Sequence, residues 1–431
     1  MLKIIHASDF HLDGIYEGVS PQKACERRQE QQDLLNGFRD IVVEKEADLV
    51  LLAGDLFENV NVHPETIDQI IQCLASLPCW VFITPGEHDY FWEKSPYVLW
   101  KWPQNVYIFK EERTKAVTTP VGEGKSRVTI YGNAFTSPHR KQSPLEKFTP
   151  PRNWSGYHIM VSYGSVEEEI LALEEKNPKE EDLPQEEPEE TAVKPEEKEE
   201  EEKKAEEKKA EEKKPETAEP SKEMEEETTS PILLSEIAHS SVHYLALGGR
   251  HNRSTPKRAG RTYYTYAGSA QGQNFEELES KGVLYLELEI TGEATLSFIP
   301  LKSRQYHAVA VDITGQETLL ENLRKGLSER YPDRHRDIFR VILTGEAMGP
   351  NIQSLTEGLQ DEFYGLEILD QSVLPQRIWD KKEDESLTAL FLQEMEKVSP
   401  ENLGGEIDQA TYQMALRLGL AALENREDFA L

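Results

Sequence analysis

Residues 48–57 read DLVLLAGDLF, and the fold can be predicted outward from this stretch. Its five consecutive apolar residues, 49–53, are typical of a strand that is buried on both faces, as in a sheet covered by helices. Gly54 allows the backbone to turn sharply after the strand, and open α/β sheets bind ligands outside the carboxyl ends of their strands. The carboxylate of Asp55, delivered at this turn, is therefore a candidate site residue.

Two neighbouring strands are predicted to end in the same way. Residues 2–7 form an apolar run that is followed by Asp9 and His11, whose i, i+2 spacing in an extended chain turns both side chains to one side. Residues 80–84 form the next apolar run, which is followed by PGEHD at 85–89. Three successive strands therefore deliver carboxylate and imidazole groups to one edge of the predicted sheet.

The segments between and after these strands predict how the chain is divided. Apolar residues recur with a helical period over 27–47 and 64–77, so the first part contains βαβ units. A chain of 431 residues is long enough for two or three domains. Later in the chain we expect a short helix at 232–237, a strand at 243–247, and a hairpin that pairs 262–267 with 282–290. We predict a core in two parts (1–172 and 231–304), a disordered Glu/Lys-rich insertion (173–230), an α/β cap (305–375) and a C-terminal helical segment (376–431).

The charge of the chain is unevenly distributed. Its net charge is −32, and residues 174–227 alone carry 25 acidic and 11 basic residues with almost no apolar ones. Such a segment cannot bury enough apolar surface to offset the entropy of ordering, so we expect a solvated tether. The rest of the chain is also acidic, which means that any contact with DNA requires a local basic patch.

The cysteine pattern and the hydropathy indicate the compartment. The three cysteines, Cys25, Cys73 and Cys79, have no CxxC spacing, which argues against a thiol metal site or a disulfide framework. The sequence has no signal-peptide pattern and no run of about 18 apolar residues. We therefore expect a cytoplasmic protein that neither is secreted nor spans a membrane.

Four motifs in order carry a family resemblance: DFHL at 9–12, GDLF at 54–57, GEHD at 86–89 and YLALGGRH at 244–251. Together they resemble the calcineurin-like metallophosphoesterase superfamily, and within it the SbcD-type DNA repair exonucleases of the YhaO branch. YAGSAQG at 266–272 with KGV at 281–283, and ALRLGLAALE at 415–424, support that branch. The resemblance implies a β-sandwich flanked by helices, with a small α/β cap and C-terminal helices.

The resemblance also implies a chemistry, namely Mn²⁺-dependent cleavage of DNA in repair by an exonuclease or endonuclease that works with an SMC-like ATPase. Phosphodiester hydrolysis of this kind uses two cations about 3.5–4 Å apart, held by carboxylate, imidazole and amide groups. Asp55 would bridge them, and His88 would act as general acid or transition-state stabiliser. The first position would be completed by Asp9, His11 and His251.

The second position departs from the family pattern at three residues. Glu87 stands where the family has asparagine, Tyr163 where it has the histidine of an HG motif, and Gly249 where it has the first histidine of GHxH. Glu87 is still a possible ligand for a hard cation, and Tyr163 would have to bind as a phenolate. We therefore expect one tightly bound Mn²⁺ and a second that is weak or absent.

Three functions remain open at this point: a DNA-cleaving phosphodiesterase, a degenerate member that serves as a scaffold for DNA or the ATPase, and a phosphoesterase acting on a nucleotide or small phosphoester. Helices predicted at 386–398 and 408–424 have a broad apolar face and are expected to dock the ATPase or a second copy of the chain. Five basic residues beside the last predicted ligand are the candidate phosphate contacts. They are Arg250, Arg253, Lys257, Arg258 and Arg261.

Overall fold

The computed structural model describes residues 1–14, 21–122, 126–150, 155–167, 230–316, 318–400, 402 and 408–423. Apart from Ser230, the insertion predicted at 173–230 lies outside these residues, so the expectation of a disordered tether stays a prediction. The end of the helix predicted up to Glu424 lies outside them as well.

Two six-stranded sheets form the core of the described part. In spatial order, the first contains β14 (Ala294–Pro300), β13 (Gly282–Leu288), β1 (Leu2–Ala7), β2 (Leu49–Ala53), β3 (Trp80–Thr84) and β4 (Val106–Ile108). The second contains β11 (Lys257–Ala259), β12 (Thr262–Tyr266), β10 (Tyr244–Gly248), β7 (Tyr157–Tyr163), β6 (Ser126–Gly132) and β5 (Lys115–Val121). A small separate pair joins β8 (Ser165–Glu167) and β9 (Pro231–Leu233).

The sheets pack face to face, and helices cover their outer faces. Strand β2 shows why its sequence is apolar throughout: Leu49 and Leu51 pack with Ile159 between the sheets, whereas Val50 and Leu52 pack in the outer helical layer. The predicted α/β sandwich flanked by helices is therefore confirmed. The helices of the core are α1 (Pro21–Glu44), α2 (Pro64–Ala75), α3 (Pro96–Leu99) and α4 (Leu234–Ser240).

The hairpin predicted between residues 262–267 and 282–290 is wrong. β12 pairs in parallel with β10 in the second sheet, whereas β13 pairs antiparallel with β1 in the first sheet, where Leu2 lies opposite Leu288. The alternation of apolar residues predicts that each segment is a strand, but β13 pairs on one side with β1, about 280 residues away in the sequence, and on the other side with the next strand, β14. The helix predicted at 232–237 is also corrected, because β9 ends at Leu233 and α4 starts at Leu234.

The cap predicted at 305–375 contains a parallel three-stranded sheet. It is attached to the core through Arg304, whose guanidinium pairs with Glu30 of α1 and lies 3.3 Å from the centre of the Tyr364 ring. The elements of the cap are β15 (Tyr306–Asp312), α5 (Leu319–Arg330), β16 (Ile338–Thr344), α6 (Ile352–Leu359) and β17 (Gly365–Asp370), with short 3-10 helices at Arg334–Arg336 and Gln360–Glu362.

Two C-terminal helices, α7 (Leu387–Lys397) and α8 (Gln409–Leu423), follow a 3-10 helix at Gln376–Glu383. Arg417 of α8 bonds to Asp370 at the end of β17, so this helix packs on the cap. A shared apolar cluster contains Leu374, Ile378, Leu392, Tyr412, Leu416 and Leu420. Among the described residues, no helix is long and apolar enough to cross a membrane.

Candidate metal centre

The loops after β1 and β2 continue side by side beyond the sheet. The amide of Asp9 donates to the carbonyl of Gly54 at 3.1 Å, and the amide of His11 donates to the carbonyl of Asp55 at 3.0 Å. Asp9, His11 and Asp55 all have φ values between 44° and 49°, in the left-handed region that residues with a side chain rarely adopt. Strained backbone of this kind persists only where its surroundings hold it, and it concentrates at functional sites.

Three predicted ligands converge at this edge of the first sheet: Asp9, His11 and His251. The Nε2 atoms of His11 and His251 lie 3.0 Å apart. The Nδ1 atom of each ring hydrogen-bonds to a carboxylate. His11 Nδ1 lies 2.9 Å from Glu58 Oε2, and His251 Nδ1 lies 3.1 Å from Glu277 Oε1. A histidine that donates from Nδ1 presents the lone pair of Nε2, which is the usual arrangement of a metal-binding histidine.

The electrostatics of His251 follow from these neighbours. Burial alone would lower its pKa, but the hydrogen bond to Glu277 and the charge of Asp9 outweigh burial and raise the pKa. Glu277 is itself 2 % exposed, and it also accepts from Ser269 Oγ at 2.6 Å and pairs with Lys281 at 3.2 Å. The carboxylate that orients His251 is therefore fixed on three sides.

The hydrogen bonding of Asp55 shows whether a cation fits at the first position. Its Oδ1 accepts from the amide of His88 at 3.0 Å, but its Oδ2 is buried with no hydrogen-bond partner among the described residues and lies 4.0 Å from His11 Nε2. Burial, followed by the charges of Asp89 and Asp9, raises the pKa of Asp55 well above its usual value. A buried carboxylate oxygen without a partner is costly, and a divalent ion beside the two imidazole nitrogens would satisfy it. The first position therefore fits a metal ion.

Asp89, to which the sequence pattern assigns no role, hydrogen-bonds to the two turns that carry Asp55 and His88. It is fully buried and accepts from the amides of Gly86 at 2.7 Å and Leu56 at 2.8 Å, and from the hydroxyl of Tyr97 at 2.5 Å. Burial nevertheless raises its pKa. Through these bonds Asp89 ties the turn after β3 to the turn that carries Asp55.

The second position is built differently. The Tyr163 side chain is 4 % exposed, packs edge-on against Phe135 at 5.2 Å, and donates from its hydroxyl to Glu87 Oε1 at 3.1 Å. Burial, followed by the charges of Asp55 and Asp9, raises the pKa of Tyr163 well above its usual value. Burial and these charges therefore favour the phenol form of Tyr163, whereas metal binding would need the phenolate.

His88 lies at the mouth of the centre. Its side chain is 38 % exposed, its ring packs edge-on against that of His11 at 5.0 Å, and its Nδ1 lies 2.9 Å from the carbonyl oxygen of Glu58. His88 also approaches Asp55 and Glu87 closely enough for the three to share an ion. It is placed to meet a substrate that approaches from solvent.

Comparison with known proteins is consistent with this geometry. Residues 2–195 match the calcineurin-like phosphoesterase family. Over 406 residues, the chain is 22 % identical to a protein of Bacillus subtilis (strain 168) named uncharacterized metallophosphoesterase YhaO, and the alignment covers 89 % of this chain and 83 % of that protein. Over 95 residues it is 32 % identical to a component of the nuclease SbcCD from the same organism, covering 20 % of this chain and 22 % of that component. These comparisons support the calcineurin-like metallophosphoesterase superfamily.

Calcineurin-like phosphoesterases are hydrolases that use divalent metals, and the groups around Asp55 are candidate ligands for such an ion in this chain. The orienting carboxylates Glu58 and Glu277 were missed by sequence analysis. Glu277 follows His251 by 26 residues, and no regular spacing links the two. Glu58 stands one residue beyond the GDLF motif, where the sequence offers only proximity as a signal.

The five predicted phosphate contacts are exposed, but they do not lie together at the candidate metal centre. Arg250 lies over Tyr266 at 5.4 Å and Arg253 over Phe298 at 3.9 Å, next to the loop of His251. β12 runs parallel to β10, so Arg261, which precedes β12, lies at the end of these strands away from the centre. Lys257 and Arg258 lie between, on β11.

Proposed function

We propose that this chain is a divalent-ion-dependent phosphodiesterase that cleaves DNA, with Mn²⁺ as its ion. The observation that carries the proposal is the buried, unpartnered Oδ2 of Asp55 beside the facing Nε2 atoms of His11 and His251. Asp9 completes this set, and its carboxylate is held in place by the amide of Gly249 at 3.1 Å. Carboxylate and imidazole groups in this combination suit Mn²⁺.

In the proposed reaction, Glu58, Glu277 and His88 have different roles from the ion itself. When bound, the ion supplies Lewis acidity toward a phosphate oxygen and activates water. Glu58 and Glu277 keep the two histidine rings in the tautomer that presents Nε2. His88 donates from Nδ1 to the carbonyl of Glu58, and as an imidazolium it would also carry a proton on Nε2, which it would donate to the departing oxygen of the substrate.

Several observations support DNA as the substrate. The partial identity to the SbcCD nuclease component covers 95 residues. Arg250 and Arg253 are exposed beside the centre in a chain that is otherwise strongly acidic. Exposed guanidinium groups contact backbone phosphates without regard to sequence, so these two residues are the best placed of the five to hold a DNA strand.

A scaffold without catalytic activity is the second candidate, and the buried Tyr163 at the second position is what favours it. The two candidates can be separated by measuring cleavage of single- and double-stranded DNA with Mn²⁺ and, in parallel, binding of the same DNA. We expect metal-dependent cleavage that His88→Ala reduces by about 10²–10⁴-fold, the usual contribution of a positioned acid or base. His335→Ala, which changes an exposed histidine of the cap, is the matched control and should retain full activity.

Two results would contradict the proposal. DNA binding without cleavage at any Mn²⁺ concentration would support the scaffold. Cleavage of a small phosphoester but of neither form of DNA would assign the centre to the third function, a phosphoesterase for nucleotides or other small substrates.

We further propose that the C-terminal helices dock an SMC-like ATPase. Leu387, Leu390 and Met414 on α7 and α8 are 57–68 % exposed, although other apolar residues of these helices are buried in their shared cluster. Leu390→Glu should abolish co-purification with the co-expressed ATPase, whereas Leu99→Glu, at an equally exposed leucine of the core, should not. Persistent co-purification would contradict this, and a second copy of the chain as the partner would instead appear as dimers of the isolated protein.

A further inference from the structure

The ring of Tyr163 lies between two glycines. A Cβ atom built on Gly54 would lie 2.1 Å from Tyr163 Cδ2, and one built on Gly249 would lie 3.1 Å from Tyr163 Cζ. Both glycines have positive φ values, +89° and +99°. The ring overlaps the place of a side chain at position 54 and lies in tight contact with the place of a side chain at position 249. The tyrosine at 163 and the glycine at 249 therefore belong to one packing arrangement.

The side chain of Tyr163 lies among the groups that would hold a second ion. It donates to Glu87 Oε1 at 3.1 Å and lies close enough to Asp55 for the charge of that carboxylate to raise the tyrosine pKa. Asp55, Glu87 and His88 are the described groups that approach one another at this position. The Tyr163 hydroxyl also comes within hydrogen-bonding reach of the Asp55 carboxylate, but a phenol has one proton, and the geometry directs it to Glu87, so Asp55 Oδ2 keeps no hydrogen-bond partner of its own.

We propose that Tyr163 replaces the second metal ion, so that the centre holds a single divalent ion, and that the tyrosine hydroxyl positions the carboxylate of Glu87. This inference rests on the proposed function, because it concerns the ion content of the same phosphoesterase centre. Tyr163 is a positioning residue in this account. The ring excludes the ion by volume, and the hydroxyl satisfies Glu87 by donating a hydrogen bond to it.

The test is to count and characterise the ions bound by the metal-free full-length chain during titration with Mn²⁺. Calorimetry gives the stoichiometry, and electron paramagnetic resonance distinguishes an isolated Mn²⁺ from an exchange-coupled pair. We expect one uncoupled ion in the wild type. Tyr163→His and Tyr163→Asn both shorten the side chain and add a ligand atom, and they should raise the count to two coupled ions.

Tyr163→Phe is the matched control, because it keeps the ring and removes only the hydroxyl, and it should remain at one ion. Two coupled ions in the wild type would overturn the inference, and so would a count that stays at one in both the His and the Asn variants when their thermal unfolding shows that they are folded. A wild type that binds no Mn²⁺ would instead contradict the proposed function. The two failures are therefore distinguishable.

Discussion

The two metal positions beside Asp55 differ in what surrounds them. At the first, the facing nitrogens of His11 and His251 are oriented by buried or half-buried carboxylates, and an unpartnered oxygen of Asp55 points to the same place. At the second, the polar atoms already satisfy one another, because the hydroxyl of Tyr163 donates to Glu87. One position is arranged to hold a cation, and the other is closed by an aromatic ring.

The difference shows that the satisfaction of buried polar atoms is a better guide to a metal site than the number of nearby carboxylates. The ligand atoms of Asp55, Glu87 and His88 lie within 4.8 Å of one another, and so do those of Asp9, His11 and His251. Distance alone would therefore rank the two positions equally. The unpartnered Asp55 Oδ2 and the glycines required by the Tyr163 ring separate them.

The largest effect should come from removing a ligand of the first position. His11→Ala removes one of the two facing imidazoles, and we expect it to lower Mn²⁺ affinity by more than about 100-fold, since changes to groups that merely orient ligands already cost 10–100-fold. Glu87→Ala, at the second position, should leave the affinity nearly unchanged. Calorimetric titration of both variants checks this contrast, and equal losses would remove the distinction between the positions.

A smaller effect is expected from the orienting carboxylate of His251. Glu277→Gln keeps the shape of the side chain but removes the charge that fixes the Nδ1–H tautomer, so Mn²⁺ affinity should fall by about 10–100-fold. Glu276→Gln is the control, because this neighbour is exposed and its side chain has no described contact with the histidine. If the two variants bind Mn²⁺ equally well, then Glu277 is not a positioning residue.

The packing at the second position predicts an energetic coupling. Gly249→Ala should lower the free energy of unfolding by about 1–3 kcal/mol, because it places a side chain at φ +99° and against the Tyr163 ring. In a Tyr163→Ala background the cost should be smaller, since only the backbone strain remains. Denaturant unfolding of the four proteins of this double-mutant cycle measures the coupling, and strict additivity would show that the two residues do not share one volume.

The smallest effect concerns DNA affinity. Arg253→Ala, beside the first position, should weaken DNA binding modestly and reduce the slope of log affinity against log salt by about one. Arg261→Ala, at the opposite end of the strands, should leave both unchanged. Binding of a labelled DNA at several salt concentrations makes the comparison, and an effect of Arg261→Ala equal to that of Arg253→Ala would assign the contact to the whole basic run.

The sequence predicts strands and turns correctly where the pattern of neighbouring residues determines them. Buried strands such as Leu49–Ala53, followed by a glycine turn, place Asp55 and its neighbours at a common edge, and the structure brings these groups together. Pairing between distant segments has no local signal, and for this reason β13 was assigned to the wrong partner. Glu58, Glu277 and Asp89 were missed for a related reason: they act through side-chain contacts whose partners only the fold identifies.

The central claim is that a divalent ion binds at the first position and none binds between Asp55 and Glu87. Crystals of the full-length protein soaked in Mn²⁺ would test it directly through the anomalous scattering of manganese. We expect one anomalous peak in contact with Asp9, His11, Asp55 and His251. A peak of comparable height between Asp55 and Glu87, or no peak beside His11 and His251, would contradict it.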